Sequence, residues 1–354
     1  MNTVASKWVI GMDVSEKSIE FFFLRPDGEG GLSKKEPNTP DTLAKLCSEM
    51  PDRKGFMVVM ENGTHSPWMS EYFHREGVEC YVGNARKLAA IWTSVQKSDR
   101  NDAEMLARLA RADLKLFSPI RHAGRDLRAE FAVLKSRDRL VKCRTALINC
   151  VRGTLRSFGV DTTDLTVEKF TSKAAGIMPK DLHPALDGLL VQIRMLETQI
   201  KDYDRKIERI GKRHEPVQRL RQISGVGPVI ALAYVLFVGD PQNYSSAGRV
   251  GAHLGIVPKR DQSGDVDKQL GITKAGNQML RYLLAQGANY ILSRGPDCDL
   301  RRFGERICAR GGKIARRKAK IAVARKLSKI MYVMWRNGTD YELFHKSQRV
   351  IVNA

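Results

Sequence analysis

No stretch of this 354-residue chain approaches the roughly 18 to 20 consecutive apolar residues that a helix needs to cross a bilayer, so no membrane-spanning helix is expected. Cysteine is sparse and unpatterned. Cys47, Cys80, Cys143, Cys150, Cys298 and Cys308 form no CxxC pair and have no histidine at zinc spacing, so they read as reduced thiols rather than as a disulfide framework or zinc site. The opening MNTVASKWVIGMDVS lacks the charged, apolar and cleavage regions of a signal peptide, and the expected location is the cytoplasm. Internal repeats and long biased segments are also missing. Acid is in short supply: 39 Asp plus Glu stand against 60 Lys plus Arg, a formal net charge of +21. Such a surplus attracts polyanions and releases their counterions, so nucleic acid is the first partner to consider, ahead of an anionic membrane surface.

What is present begins with alternating element types. Trp8–Val14 and Ser18–Leu24 read as strands joined by the turn SEK, and a loop rich in Gly and Lys follows. A helix is expected over residues 39–50, a strand over 55–60, a helix over 67–76 and a strand over 78–82. This is an α/β layer. Helical periodicity returns near Ala85, breaks at QKSDRND and resumes from Ala103 to Ala112. From about Asp126 long helices take over. Residues 125–156 make a basic helix, and Leu186, Leu189, Ile193, Leu196, Ile200, Tyr203, Ile207 and Ile210 form a coiled-coil seam that suits either an intramolecular hairpin or a dimer. Residues 159–184 read as the turn between the two helices. The last third is helical, punctuated by glycine, with a basic amphipathic helix within 301–329. The expected domains are therefore 1–124, 125–213 and 214–354.

Four carboxylates carry the chemistry. Asp13 ends one apolar strand and Glu61 another, so neighbouring strands would bring both to one rim. Asp99 and Asp102 lie three apart at a helix start, beside Lys97 and Arg100, and project from one face. A helix start stabilises an Asp by itself, yet carboxylates on two strands and a helix are what two Mg2+ ions need to flank a scissile phosphate.

In order, IGMDVS, MENGT and KSDRNDA resemble the RuvC-like, ribonuclease H-fold domain of DEDD-type insertion-sequence transposases, the family that includes the Piv-type invertases and the bridge-RNA-guided recombinases. The resemblance extends over nearly the whole chain and maps the family's acidic pattern onto Asp13, Glu61, Asp99 and Asp102. Further on, LRQISGVGPVIALAYVLFVGD looks like a helix-hairpin-helix, in which Gly225 and Gly227 would allow a tight turn at positive φ and expose amides to a DNA phosphate. The patterns P-x-R-x-x-S-G and T-K-A-G-N-x-x-L-R resemble the family's second domain, and the resemblance implies Ser263 as nucleophile. Lys259, Arg260, Lys268 and Lys274 surround it as candidate phosphate contacts. The segment between Gly264 and Thr273 departs from the family by being short and carrying Asp265 and Asp267.

The expected function is Mg2+-dependent strand exchange through a phosphoserine link on donor and target double-stranded DNA. The resemblance also implies a structured non-coding guide RNA, and exchange of two duplexes implies a homodimer or homotetramer. Two alternatives stand beside it: a structure-specific nuclease or junction resolvase using water as nucleophile, and a nucleic-acid-binding protein without catalysis.

Overall fold

The computed structural model describes residues 7–91, 98–167, 169–263 and 266–344, and the side chains within them except those of residues 90, 91, 261, 263 and 266–269. The chain divides into two compact units, Met1–His122 and Ala123–Ala354.

In the first unit β1 (Trp8–Val14) and β2 (Ser18–Leu24) form the hairpin expected from the sequence, paired from Val9↔Leu24 to Val14↔Ile19. The Ser18 amide donates to Ser15 Oγ at 3.0 Å and closes the turn. Next comes β3 (Gly31–Pro37), antiparallel to β2, where the sequence pattern predicts only a loop. GLSKKEP shows no apolar alternation because β3 is the edge of the sheet. Charged residues there, Lys34 and Lys35 among them, deter further strands from adding.

The elements α1 (Pro40–Ser48), β4 (Phe56–Glu61), α2 (Ser66–Arg75), β5 (Glu79–Gly83), α3 (Ala85–Ile91), α4 (Asp99–Ala112), α5 (Leu114–Phe117) and β6 (Pro119–Ile120) complete the unit. The sheet order is β3-β2-β1-β4-β5-β6, with β1, β4 and β5 mutually parallel. This mixed sheet is compatible with the RuvC-like architecture. Each face buries its own core. Ile10, Met12, Phe21, Val58 and Met60 pack with Leu43 and Leu46 of α1 and Met69 and Phe73 of α2. Val9, Phe22, Leu24, Met57 and Val59 pack with Ala103, Leu106, Ala107 and Ala110 of α4.

The second unit is mostly helical: α6 (Arg125–Ser157), α7 (Phe170–Ile177), α8 (His183–Lys212), α9 (Glu215–Leu220), α10 (Pro228–Val238) and α11 (Ala247–His253), then β7 (Pro258–Ser263), β8 (Val266–Ile272), α12 (Gln278–Ser293), α13 (Asp299–Cys308) and α14 (Gly312–Asn337). Helices α6 and α8 pack antiparallel. Ile148, Val151 and Leu155 meet Leu186, Leu190 and Ile193 at one end, while Leu134 shares a core with Ile207 and Ile210 at the other. Arg137 reaches Asp204 at 2.8 Å, and Glu130 takes His214 at 2.6 Å and Arg213 at 2.9 Å.

Within the predicted seam, Leu186, Ile193, Ile200 and Ile207 are buried at seven-residue intervals, while Leu189, Leu196 and Tyr203 are half-buried. The base of the hairpin runs into the core of the following segment, where Leu134, Ile207 and Ile210 join Val217, Leu220 and the apolar α10. One correction concerns the last third: residues 258–263 and 266–272 pair as antiparallel strands where helix is expected. The basic helix expected within 301–329 is α14, and α13 precedes it across Gly311 and Gly312, whose φ values are +82° and +75°. Among the described residues no helix is long and apolar enough to cross a membrane.

Candidate active site

Strand alternation decides which residues share a face. On β1, Asp13 points with Gly11 and Val9 toward α4, and on β4, Glu61 points with Val59 and Met57 to the same side. Register does the rest. The parallel pairing runs from Trp8↔Phe56 to Met12↔Met60, so Asp13 and Glu61 are each one residue past the last pair, on adjacent strands. In the other direction Asp13 pairs with Glu20, and Glu20 pairs with Lys35. Lys35, Glu20, Asp13 and Glu61 therefore form one charged row across β3, β2, β1 and β4, on the α4 side of the sheet.

The helix is brought to this row by glycine. A Cβ on Gly11 would lie 1.9 Å from the Ala103 carbonyl oxygen and 3.1 Å from the Ala107 Cβ, so α4 rests directly on the β1 backbone. Ser98 caps α4, accepting from the Asn101 amide at 3.2 Å, and Asp99 and Asp102 fall in its first turn. They stand one turn before the buried Ala103 and Leu106, which extends the sheet-facing stripe past the end of the core. Lys97, which the sequence pattern puts in this cluster, lies outside the described residues.

Lys35 Nζ donates to Asp99 Oδ2 at 2.9 Å. That hydrogen bond, then the lysine's charge, holds the Asp99 carboxyl below the usual carboxylate range. In return the bond to Asp99, then its charge and those of Glu20 and Asp13, hold the Lys35 ammonium above its usual value. Ser33 Oγ donates to Glu20 Oε1. Glu20 and Lys35 are absent from the four-carboxylate pattern. The hairpin turn sets Glu20 opposite Asp13, so that half is recoverable from sequence. Lys35 needs β3.

The donor set suits a hard divalent cation in kind, being all carboxylate oxygen with no thiol or imidazole. Among the described residues, no three His, Cys, Asp or Glu side chains stand close enough to share one ion, and Asp99 is engaged by Lys35.

Ser263 is the last residue of β7, paired with Val266 across the hairpin tip, and its side chain is outside the description, as is that of Lys268. Gly264 and Asp265 lie outside the described residues. The base of this hairpin is held by close backbone contacts. A Cβ on Gly255 would stand 2.3 Å from the Ala275 amide, and one on Gly276 would stand 2.1 Å from the His253 carbonyl oxygen, so two chain segments cross backbone to backbone. Thr273 and Lys274 amides donate to Val257 and Gly255 carbonyls at 2.9 and 3.0 Å. Arg281 Nη1 donates to the Gly276 carbonyl at 2.5 Å and reaches that of Leu254 at 3.4 Å. The glycine and arginine of T-K-A-G-N-x-x-L-R thus fasten the strands that carry Ser263. Lys259, Arg260 and Lys274 are exposed, and Lys274 adopts φ +55°, uncommon for a residue with a side chain.

Of the two glycines in ISGVGP, only Gly225 has positive φ, at +92°. Its Cβ position faces the Gly287 carbonyl at 3.1 Å and Tyr290 at 3.0 Å, so close packing on α12 also demands glycine. Gly227, expected to share the positive φ, has φ −80° instead. It is the extended cap before α10, where Pro228 opens the helix and no left-handed turn is required.

An acidic rim on a mixed α/β sheet, carried by a strongly basic chain, suits a nucleic-acid-processing protein, and comparison with known families narrows the class. Residues 10–159 match the DEDD transposase profile of the IS110 group, and residues 217–303 match the profile described as "Transposase IS116/IS110/IS902 family". The chain belongs to the IS110/IS116/IS902 family of transposases. It is 36% identical over 205 residues to the transposase for insertion sequence element IS1111A of Coxiella burnetii, a stretch covering 55% of each chain. Identity to the transposase for insertion sequence element IS1328 of Yersinia enterocolitica is 26% over 343 residues, covering 94% of this chain and 98% of that one. The transposase candidate y4pF/y4sB of Sinorhizobium fredii is 30% identical over 268 residues, with 73% and 67% covered.

Proposed function

We propose that the protein is a DNA strand-transfer recombinase of an insertion element, with Asp13, Glu61, Asp99 and Asp102 holding Mg2+ and Ser263 as nucleophile. The observation that carries this reading is the register that sets Asp13 beside Glu61 on the face where α4 presents Asp99 and Asp102. Mg2+ held there supplies charge stabilisation at the scissile phosphate. The protein's own part is a transesterification. Ser263 Oγ forms a bond to phosphorus, the bond to one deoxyribose oxygen breaks, and the hydroxyl proton of the serine passes to the departing oxygen or to solvent. Attack on the phosphoserine by the hydroxyl end of another strand restores a DNA phosphodiester and frees the serine. No external energy source is consumed. Lys259, Arg260, Lys268 and Lys274 are assigned to the phosphates near the serine, and Gly225 and Gly227 to a backbone contact that reads no sequence. Because the chain spans about half the length of one curated relative, these activities and partners are proposed for this chain on its own residues.

Donor and target duplexes, a structured non-coding guide RNA and a dimeric or tetrameric assembly complete the proposal. Basic helices α6 and α14 supply surfaces suited to nucleic-acid backbones.

The decisive experiment uses the full chain and the DNA recovered with it on purification. With Mg2+, a covalent protein-DNA adduct and strand-transfer product should form, both lost in Ser263→Ala, while Asp13→Asn or Asp102→Asn should lose cleavage altogether. Unchanged cleavage by Ser263→Ala would overturn the serine mechanism in favour of hydrolysis by water. Sequencing the RNA that stays bound at high salt tests the guide.

A further inference from the structure

Lys34 and Lys35 are neighbours on the edge strand, yet they do different things. Lys34 lies on the far face and pairs with Glu36 at 2.9 Å. Lys35 points to the α4 face, in register with Glu20, and bonds Asp99 from 64 residues away in sequence. Guarding the sheet edge would need only exposed charge. Lys35 instead ends the row that continues through Glu20, Asp13 and Glu61.

We propose that Lys35 is a positioning residue, a cation built into the acidic row that holds the Asp99 carboxylate until a divalent ion takes it. This rests on the reading that Asp13, Glu61, Asp99 and Asp102 hold the metal. Both side chains of the Lys35–Asp99 pair are 56% exposed, and an ion pair so open to water is weak. It is strong enough to favour one direction for Asp99 and weak enough for a doubly charged ion to displace. The single charge on Lys35 also offsets part of the repulsion among carboxylates set on adjacent strands, which stabilises the row before an ion enters. Removing the lysine should therefore strengthen metal binding. A lysine that merely tied the helix to the sheet would do the opposite, since losing it would scatter the ligands.

The test uses the full chain without nucleic acid. Free Mn2+ is followed by electron paramagnetic resonance, and acylation of each lysine is measured by mass spectrometry with and without Mg2+. Lys35→Gln should bind Mn2+ about two- to fivefold more tightly than the unmodified chain, the range an exposed pair supports, and Lys34→Gln should not. In the unmodified chain, Mg2+ should raise acylation of Lys35 relative to Lys34, because the ammonium loses its partner, and Asp13→Asn should abolish that rise. Weaker or unchanged Mn2+ binding in Lys35→Gln, or a Lys35 acylation rate indifferent to Mg2+, overturns the role of Lys35 while leaving the site reading intact. Absence of any Mn2+ binding that depends on Asp13 overturns the site reading, and this inference with it.

Discussion

Gly11 on β1 and Ala103 on α4 approach so closely that a Cβ on Gly11 would lie 1.9 Å from the Ala103 carbonyl oxygen. One methyl group is enough to lift the helix. Gly11→Ala is expected to destabilise the first unit by about 3 kcal/mol, at the upper end of overpacking costs, and to weaken Mn2+ binding because Asp99 and Asp102 ride on α4. Gly63→Ala, with nothing within 4 Å of its Cβ position, should change stability little. Thermal unfolding and Mn2+ titration check both, and a Gly11→Ala chain as stable as the original would contradict the close approach.

The fastening of the serine hairpin makes a local prediction. Arg281→Ala removes a charged donor from the Gly276 carbonyl, worth about 1.5 kcal/mol. Amide hydrogen exchange at Thr273 and Lys274, which bond across the hairpin base, should accelerate about tenfold while α6 and α8 keep their protection. Arg281→Lys should recover part of it. Uniform loss of protection would point to global destabilisation instead.

The two rows of the helical hairpin should not be equivalent. Ile193 is wholly buried and packs with Ile148 and Val151, so Ile193→Ala should cost about 3 kcal/mol. Leu196, half-buried on the neighbouring row, should cost nearer 1 kcal/mol. Urea unfolding followed by far-ultraviolet circular dichroism distinguishes them, and a reversed order would mean that the half-buried row is the true core.

Lys313, Arg316, Arg317 and Lys318 are exposed at the start of α14, around and opposite the buried stripe of Ala315 and Ala319. Replacing all four with Gln should weaken binding to DNA and to RNA and flatten the dependence of log affinity on log salt, by up to about 0.9 for each duplex phosphate that the helix no longer neutralises. Affinity measured from 50 to 200 mM salt reads this directly. An unchanged slope would remove α14 from the nucleic-acid surface.

Much of the first unit is legible from sequence because its strands are short, apolar and punctuated. The hairpin turn at SEK fixes β1 against β2 through local chemistry, and with it the pairing of Asp13 and Glu20. Edge strand β3 and the β7–β8 hairpin are not legible, because GLSKKEP and PKRDQS carry polar residues at nearly every position and owe their extension to a neighbouring strand. Side-chain periodicity cannot report a partner that lies elsewhere in the chain.

Composition and motif order determined that the chain is strongly basic and that Asp13, Glu61, Asp99 and Asp102 stand at strand and helix ends. Those are properties of charge and local pattern. Only the tertiary structure decided that Glu61 follows Asp13 across a parallel pair, that Gly11 exists to let α4 down onto the sheet, and that Lys35 reaches Asp99. Each of these depends on register between segments distant in sequence, and register is set by long-range packing of the two sheet faces, which no local pattern contains.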